Sequence, residues 1–171
     1  MGYRNKTYVA FASEDIHCYR MMEAWRDNEK IDFNFFDAHD LNISKDSSLP
    51  ETIKRNLRAR MTNAKQIVLL GSASARRKGG NGVSFLAHEV KLAIEFKLPV
   101  VVANIKNTRD RSVDRSIIPQ PFLDVDYYTV SVTFQPKIIQ HALDNYASTF
   151  SSSEKAGPHI YPDKVYSSLG L

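Results

Sequence analysis

Two short runs of apolar residues constrain the fold of this chain more than any other feature. Residues 66–70 are Gln-Ile-Val-Leu-Leu, and residues 99–103 are Pro-Val-Val-Val-Ala. A strand with apolar side chains at successive positions is covered on both faces, which is typical of the central strands of a parallel sheet. Parallel neighbours require crossover connections, and helical crossovers cover both faces of the sheet. The two runs therefore predict an α/β domain.

Other β-prone and helical segments alternate with these runs. The predicted strands are residues 8–11, 33–36, 66–70, 99–103 and 127–132, and the predicted helices are residues 16–28, 50–61, 84–96 and 136–146. The last strand alternates apolar and polar residues and is expected to be more exposed than the others. Five parallel strands with helices on both faces predict a flavodoxin-like three-layer sandwich with the strand order 2-1-3-4-5.

The length of the chain predicts one domain. It has 171 residues, 43% of them hydrophobic, which is enough for a core of its own. We expect residues 1–147 to form the domain and the Ser-rich residues 148–171 to be a tail that packs on it or extends it. No run of about 18 apolar residues occurs, and the segment from Met1 to Tyr8 is polar. We therefore expect a cytoplasmic protein without a membrane span or signal peptide, and Cys18 is expected to be a buried thiol.

The net charge favours polyanionic partners without choosing among them. It is +4, with a pI of about 9.1, and nucleic acids, phosphates and dinucleotides all fit this sign. Residues 72–82 contain Arg76, Arg77 and Lys78 beside several glycines and are predicted to be a mobile loop. The loop either attracts a diphosphate or is simply exposed to solvent, because it matches neither a Walker loop nor a dinucleotide fingerprint. Residues 11–15 also lack glycine, so NAD is not expected as a hydride carrier.

The predicted strand order places one crevice at the carboxyl ends of the first and third strands. The loops after Phe11 and after Leu70 then face each other. Ser13, the long loop 37–48 and the start of the helix that carries Glu89 are expected around the same mouth. A long loop in this position is a candidate for a functional role.

Glu89 is the strongest candidate for chemistry. Leu86, Val90, Ala93 and Ile94 form the apolar stripe of its helix, and Glu89 borders that stripe, so its carboxylate is expected to reach the crevice. The alternative is that Glu89 favours the positive end of the helix or pairs with a neighbouring base.

Asp37 is a second candidate, in a cluster with His39 and Asp40 directly after the second strand. Polar side chains in this position either meet a ribose or nicotinamide, or cap the local turn.

Three stretches of the chain together resemble the TIR-like domain of the Thoeris antiphage system. They are residues 9–15 (Val-Ala-Phe-Ala-Ser-Glu-Asp), residues 36–38 (Phe-Asp-Ala), and residues 67–71 leading into 85–90 (Phe-Leu-Ala-His-Glu-Val). TIR enzymes carry their catalytic glutamate in the pattern Trp-x-x-x-Glu-Ile, and the matching residue is Glu89, with Phe85 in place of Trp and Val90 in place of Ile. The resemblance also implies that Phe11, Ser13, Asp37 and Phe85 contact the substrate.

The resemblance implies an activity of the NAD glycohydrolase or ADP-ribosyl cyclase type. NAD is then the substrate, no cofactor or metal is expected, and the product is a cyclic ADP-ribose-type signal. Expected partners are further copies of the chain and an effector protein reached through the diffusible product, while a membrane or nucleic acid is not expected. Two alternative functions stay open. One is a non-enzymatic scaffold that acts through protein contacts, and the other is a nucleoside deoxyribosyltransferase-like enzyme. A phospho-receiver is disfavoured because Gly71 stands where that class requires aspartate.

Overall fold

The computed structural model describes residues 5–33, 35–37 and 50–171. Within these residues, six parallel strands form one sheet in the order β2-β1-β3-β4-β5-β6. The strands are β1 (Lys6–Ala10), β2 (Phe36–Asp37), β3 (Gln66–Gly71), β4 (Val100–Asn104), β5 (Thr129–Thr133) and β6 (Pro158–Ile160). The predicted flavodoxin-like fold and the predicted order of its five strands are confirmed, and β6 is an addition from the C-terminal tail.

The helices cover both faces of this sheet. They are α1 (Ile16–Asp27), α2 (Pro50–Asn63), α3 (Ala73–Gly79), α4 (Phe85–Glu95), α5 (Gln120–Asp124), α6 (Pro136–Ala142), which continues as a π turn over Leu143–Ala147, and α7 (Asp163–Ser168). None of the helices in the described ranges combines the length and hydropathy that crossing a bilayer requires.

Alternation along the strands divides the core into two layers. Val9, Val68 and Val101 pack with α1 and α6 on one face. Their neighbours along the strands, Tyr8 and Ile67, pack with α2 and α4 on the other face. The helix that carries Glu89 therefore lies on the same face as the side chain of Tyr8.

The second strand lies later in the chain than predicted. It is formed by Phe36 and Asp37, which pair with Lys6 and Thr7 of β1. Phe33 and Phe35 are buried beside α1, and the Phe33 ring contacts the Trp25 ring edge-on with a centroid distance of 5.6 Å. Their hydrophobicity thus reflects aromatic packing outside the strand. His39, Asp40 and the rest of the loop predicted at 37–48 lie outside the described residues.

The predicted exposure of the fifth strand is wrong. All five residues of β5 are buried, because β6 from the tail pairs with its outer edge, Thr129 with Pro158 and Ser131 with Ile160. The buried Tyr166 of α7 strengthens this arrangement, since its hydroxyl accepts a hydrogen bond from Thr133 N at 3.2 Å.

The prediction of a mobile loop at residues 72–82 is also wrong, because most of these residues form helix α3. Ser72 begins the helix by accepting a hydrogen bond from Ala75 N at 2.9 Å. Gly79 is buried, and a Cβ atom at this position would lie 2.7 Å from Pro119 Cβ. The glycine therefore permits a close approach to Pro119 rather than loop motion.

Docking of the tail depends on Gly157, which gives a testable prediction. This glycine has a φ of +71°, and a Cβ there would lie 2.7 Å from Asp126 Oδ1. We expect Gly157→Ala to lower the free energy of unfolding by about 1–3 kcal/mol in chemical denaturation. Gly170→Ala is the matched control, because its φ is +73° but no atom lies within 4 Å of the added Cβ. Equal losses for the two variants would contradict a clash at Gly157.

Candidate functional site

A cleft of about 430 Å³ opens past the carboxyl end of β1. Its walls come from the turn between β1 and α1, the end of α3, and the connection from α3 into α4. The lining residues are Phe11, Ala12, Ser13, Ile16, Lys78, Val83, Ser84, Phe85, Leu86 and Glu89. Four side chains predicted to act in function, those of Phe11, Ser13, Phe85 and Glu89, therefore lie around one cavity.

The start of α4 sets the position of Glu89. Ser84 caps the helix by accepting a hydrogen bond from Ala87 N at 3.0 Å. From this start, the helical period places Glu89 beside the buried residues Leu86, Val90 and Ala93. Glu89 is 4% exposed, and it lies in the wall of the cleft. The cap therefore fixes a carboxyl group between the apolar core and the cavity.

The carboxyl group of Glu89 has an uncommon environment. Its Oε2 atom is buried and has no hydrogen-bond partner among the described residues. Burial raises the pKa of Glu89 from 4.5 to about 8, and an interaction with the Tyr8 hydroxyl offsets part of this shift. At neutral pH the side chain of Glu89 is thus mostly the protonated acid. A carboxyl group with such a shift in a cleft is a candidate for function.

A polar contact closes one side of the cleft. Lys78 Nζ donates a hydrogen bond to Ser13 Oγ at 2.9 Å and lies 2.8 Å from Glu14 Oε1. The hydrogen bond from Lys78 is the main reason that the pKa of Glu14 is lowered. This contact joins the end of α3 to the turn after β1, directly at the cavity that Glu89 lines.

The rim of the cleft is apolar and aromatic. Phe85 is 36% exposed and Val83 is 78% exposed. Phe11 lies at the inner side, where its ring stacks on the Tyr19 ring with a centroid distance of 4.8 Å. Exposed aromatic faces of this kind suit the stacking of a flat, apolar ring.

Asp15 does not take part in the cleft chemistry. Its buried carboxylate accepts a hydrogen bond from Ser72 Oγ, the hydroxyl that caps α3. The contact ties the turn after β1 to the segment after β3 and so holds two walls of the cleft together. Within the described ranges, no group of three His, Cys, Asp or Glu side chains is placed to hold a metal ion.

Asp37 and His88 lie on β2 and α4. Asp37 is in β2, where its backbone pairs with Thr7; its role in substrate contact stays a prediction. His88 is next to Glu89 but faces α2 near Lys54, and burial lowers the pKa of its imidazole. His88 is not among the described residues that line the cavity.

Sequence analysis missed Tyr8 and the role of Lys78 at the mouth. The alternation of β1 carries a signal for Tyr8, because it places this side chain on the face that α4 covers. The sequence predicts a loop at Lys78, whereas the contact of Lys78 with Ser13 depends on α3 being helical. A prediction of helix for residues 73–79 would have placed the Lys78 side chain near the turn after β1.

Comparison with known proteins gives one family match. The model of the family described as "Thoeris protein ThsB, TIR-like domain" matches residues 8–110. The match spans β1 to β4 and therefore includes every described residue that lines the cleft. No curated protein matches the chain significantly.

Proposed function

The chain belongs to the family of TIR-like domains of the Thoeris protein ThsB, and from this premise we propose that it consumes NAD. The reaction cleaves the bond between nicotinamide and ribose and yields a cyclic ADP-ribose-type signal in antiphage defence. In this proposal NAD is the substrate and no separate cofactor takes part. The signal would reach an effector protein by diffusion, and the active form would be an assembly of several copies.

The observation that carries this proposal is the carboxyl group of Glu89. It lies in the wall of a cleft large enough for part of a dinucleotide, and one of its oxygens lacks a hydrogen-bond partner among the described residues. A buried polar atom without a partner is costly, and a ligand hydroxyl would supply the missing hydrogen bond. The ribose hydroxyls of NAD have the required chemistry.

The reaction requires negative charge close to the ribose. As the glycosidic C–N bond breaks, its electron pair goes to the nicotinamide nitrogen, which becomes neutral, and positive charge develops on the sugar. A carboxylate in a cavity with little water stabilises this charge. Glu89 is mostly protonated at neutral pH in the free protein, but the positive pyridinium ring of the bound substrate favours its ionised form.

Phe11, Ser13 and Phe85 would position the substrate. The exposed part of the Phe85 ring offers a stacking surface for nicotinamide, and Phe11 closes the inner side of the cavity. The Ser13 hydroxyl would donate a hydrogen bond to the nucleotide. Water or another hydroxyl of the same nucleotide then attacks the sugar and loses a proton, which gives the hydrolysis product or the cyclic product.

Ionisation of Glu89 gives a prediction for the pH dependence. If the free enzyme must lose the proton of Glu89 to react, kcat/KM for NAD falls about tenfold per pH unit below pH 8 and levels off above it. The kcat profile is expected to shift to lower pH, because the bound cation favours the carboxylate. Initial rates between pH 5.5 and 9.5, corrected with Glu89→Gln protein as the blank, test this. A kcat/KM that is constant from pH 6 to 9 would contradict it.

A scaffold that acts through protein contacts is the second candidate function. The exposed apolar residues Val83 and Phe85 at the rim favour it, since such residues also occur at protein interfaces. A scaffold and an enzyme differ in their chemistry, because a scaffold leaves NAD intact at every protein concentration.

One incubation separates the function classes. The protein is incubated over a range of concentrations with NAD and, separately, with deoxynucleosides, and the products are resolved by chromatography. Our proposal predicts nicotinamide release from NAD, with a rate per molecule that rises as the protein self-associates. Intact NAD at all concentrations supports the scaffold, and base release from deoxynucleosides alone supports a deoxyribosyltransferase-like enzyme.

A further inference from the structure

We propose that Lys78 binds the diphosphate of the dinucleotide substrate, and that Lys78 pairs with Glu14 before the substrate binds. This inference rests on the proposed function, because it concerns the same cleft. It adds a residue that determines specificity for a nucleotide with a diphosphate over a simple nucleoside. Lys78 is a binding residue here and takes no part in bond cleavage.

The first argument is the position of the lysine. Lys78 lines the cleft that also contains Glu89, and among the described lining residues it carries the one positive charge. Its backbone is fixed, because Lys78 O accepts a hydrogen bond from Ser84 Oγ at 2.7 Å, and Ser84 also caps α4. The helix of Glu89 and the base of the Lys78 side chain are therefore held by the same serine. Only the outer part of the lysine side chain is left to change partners.

The second argument is the nature of the present partners. Lys78 Nζ contacts Ser13 Oγ and Glu14 Oε1. The Glu14 side chain is 45% exposed, and an ion pair with that much solvent contact contributes little to stability. A diphosphate offers more charge and more acceptor oxygens than one carboxylate, so it competes well for this lysine. Replacement of Glu14 by the substrate diphosphate as the partner of Lys78 would therefore cost little free energy.

The third argument is the division of charge in the cavity. The ribose that loses nicotinamide must face Glu89. The diphosphate is attached to the same ribose through the 5′ oxygen. Negative phosphates close to an ionised Glu89 would repel its charge, and a cation bound to the phosphates reduces this repulsion. Lys78, in the lining of the same cleft, supplies that cation. Ser13 Oγ accepts the hydrogen bond from Lys78 Nζ, so its own hydroxyl proton is available for a hydrogen bond to a phosphate oxygen.

The test compares Lys78→Met with Arg77→Met. Arg77 is the matched control because it is on the same helix, carries the same charge and lies 3.8 Å from the same glutamate oxygen, yet it is 65% exposed and does not line the cleft. Both substitutions are made in a Glu89→Gln background, where binding is measured by calorimetry without turnover. The ligands are NAD and nicotinamide riboside, which lacks the diphosphate.

We expect Lys78→Met to weaken NAD binding by about 10- to 100-fold, the loss of a charge-assisted hydrogen bond. Binding of nicotinamide riboside is expected to change less than about threefold, and Arg77→Met to change either affinity less than about threefold. Glu14→Gln removes the competing anion and is expected to tighten NAD binding. Lys78→Arg retains the charge and should recover most of the affinity. With Glu89 present, Lys78→Met should raise KM and leave kcat within about threefold.

The outcomes separate this inference from the proposed function. If the parent protein binds NAD but Lys78→Met binds it equally well, or loses the riboside to the same extent, the role of Lys78 is overturned and the proposed function stands. Equal losses for Lys78→Met and Arg77→Met overturn it as well. If neither the parent nor the protein with Glu89 binds or cleaves NAD, both proposals fall. Should Lys78→Met not fold, Lys78→Arg and Glu14→Gln decide by the directions given above.

Discussion

Replacement of Glu89 by glutamine is expected to lower nicotinamide release from NAD by about a thousandfold while the protein stays folded. Glutamine has nearly the size of the protonated glutamic acid, so the packing of α4 is preserved. It cannot become negative when positive charge develops on the ribose, and that charge is the contribution we assign to Glu89. The measurement is chromatographic release of nicotinamide at saturating NAD.

Glu95→Gln is the control for this substitution. Glu95 belongs to the same helix but is half exposed, and it pairs with Arg58 at 2.5 Å on the outer surface. We expect its activity to remain within about twofold of the unmodified protein. Nicotinamide release at a normal rate by Glu89→Gln, with the circular dichroism of both variants unchanged, would contradict a catalytic role for Glu89.

The same substitution is expected to stabilise the protein at alkaline pH. Burial raises the pKa of Glu89 from 4.5 to about 8, so between these values the folded state binds a proton that the unfolded state has lost. The stability that this proton provides is fully present below about pH 4.5 and is lost as pH rises to about 8. Glutamine never ionises, so Glu89→Gln should gain roughly 3–5 kcal/mol over the unmodified protein across this window.

Chemical denaturation at intervals between pH 5 and pH 9 measures this difference. All other titrating groups are common to both proteins, so they cancel in the comparison. For Glu95→Gln the trend should be small and of opposite sign, because the hydrogen bond from Arg58 lowers the pKa of Glu95. A difference between Glu89→Gln and the unmodified protein that does not grow with pH would show that Glu89 is ionised in the folded protein.

The sheet and the position of Glu89 could be predicted from the sequence because both depend on local patterns. Apolar runs such as residues 66–70 produce the buried strand β3. The helical stripe around Glu89 and the cap at Ser84 are visible within one stretch of about a dozen residues, and they set the direction of this side chain.

Features that depend on distant contacts could not be predicted in the same way. β6 has only three residues, Pro-His-Ile, and becomes a strand because the edge of β5 is available to it. Helix α3 could not be predicted because Gly79, Gly80 and Gly82 are typical of a loop. The need for Gly79 arises from its close approach to Pro119, which is remote in the sequence. The contact of Lys78 with Ser13 likewise joins residues 65 positions apart.

A structure of the protein with a non-cleavable carbocyclic NAD analogue would show directly whether Glu89 contacts the sugar that loses nicotinamide. We predict that the analogue occupies the cleft between Phe11 and Phe85, with a Glu89 carboxylate oxygen within about 3.2 Å of a hydroxyl on the sugar that bears nicotinamide. An analogue bound elsewhere, or bound in this cleft with its nicotinamide-bearing sugar beyond the reach of Glu89, would contradict it.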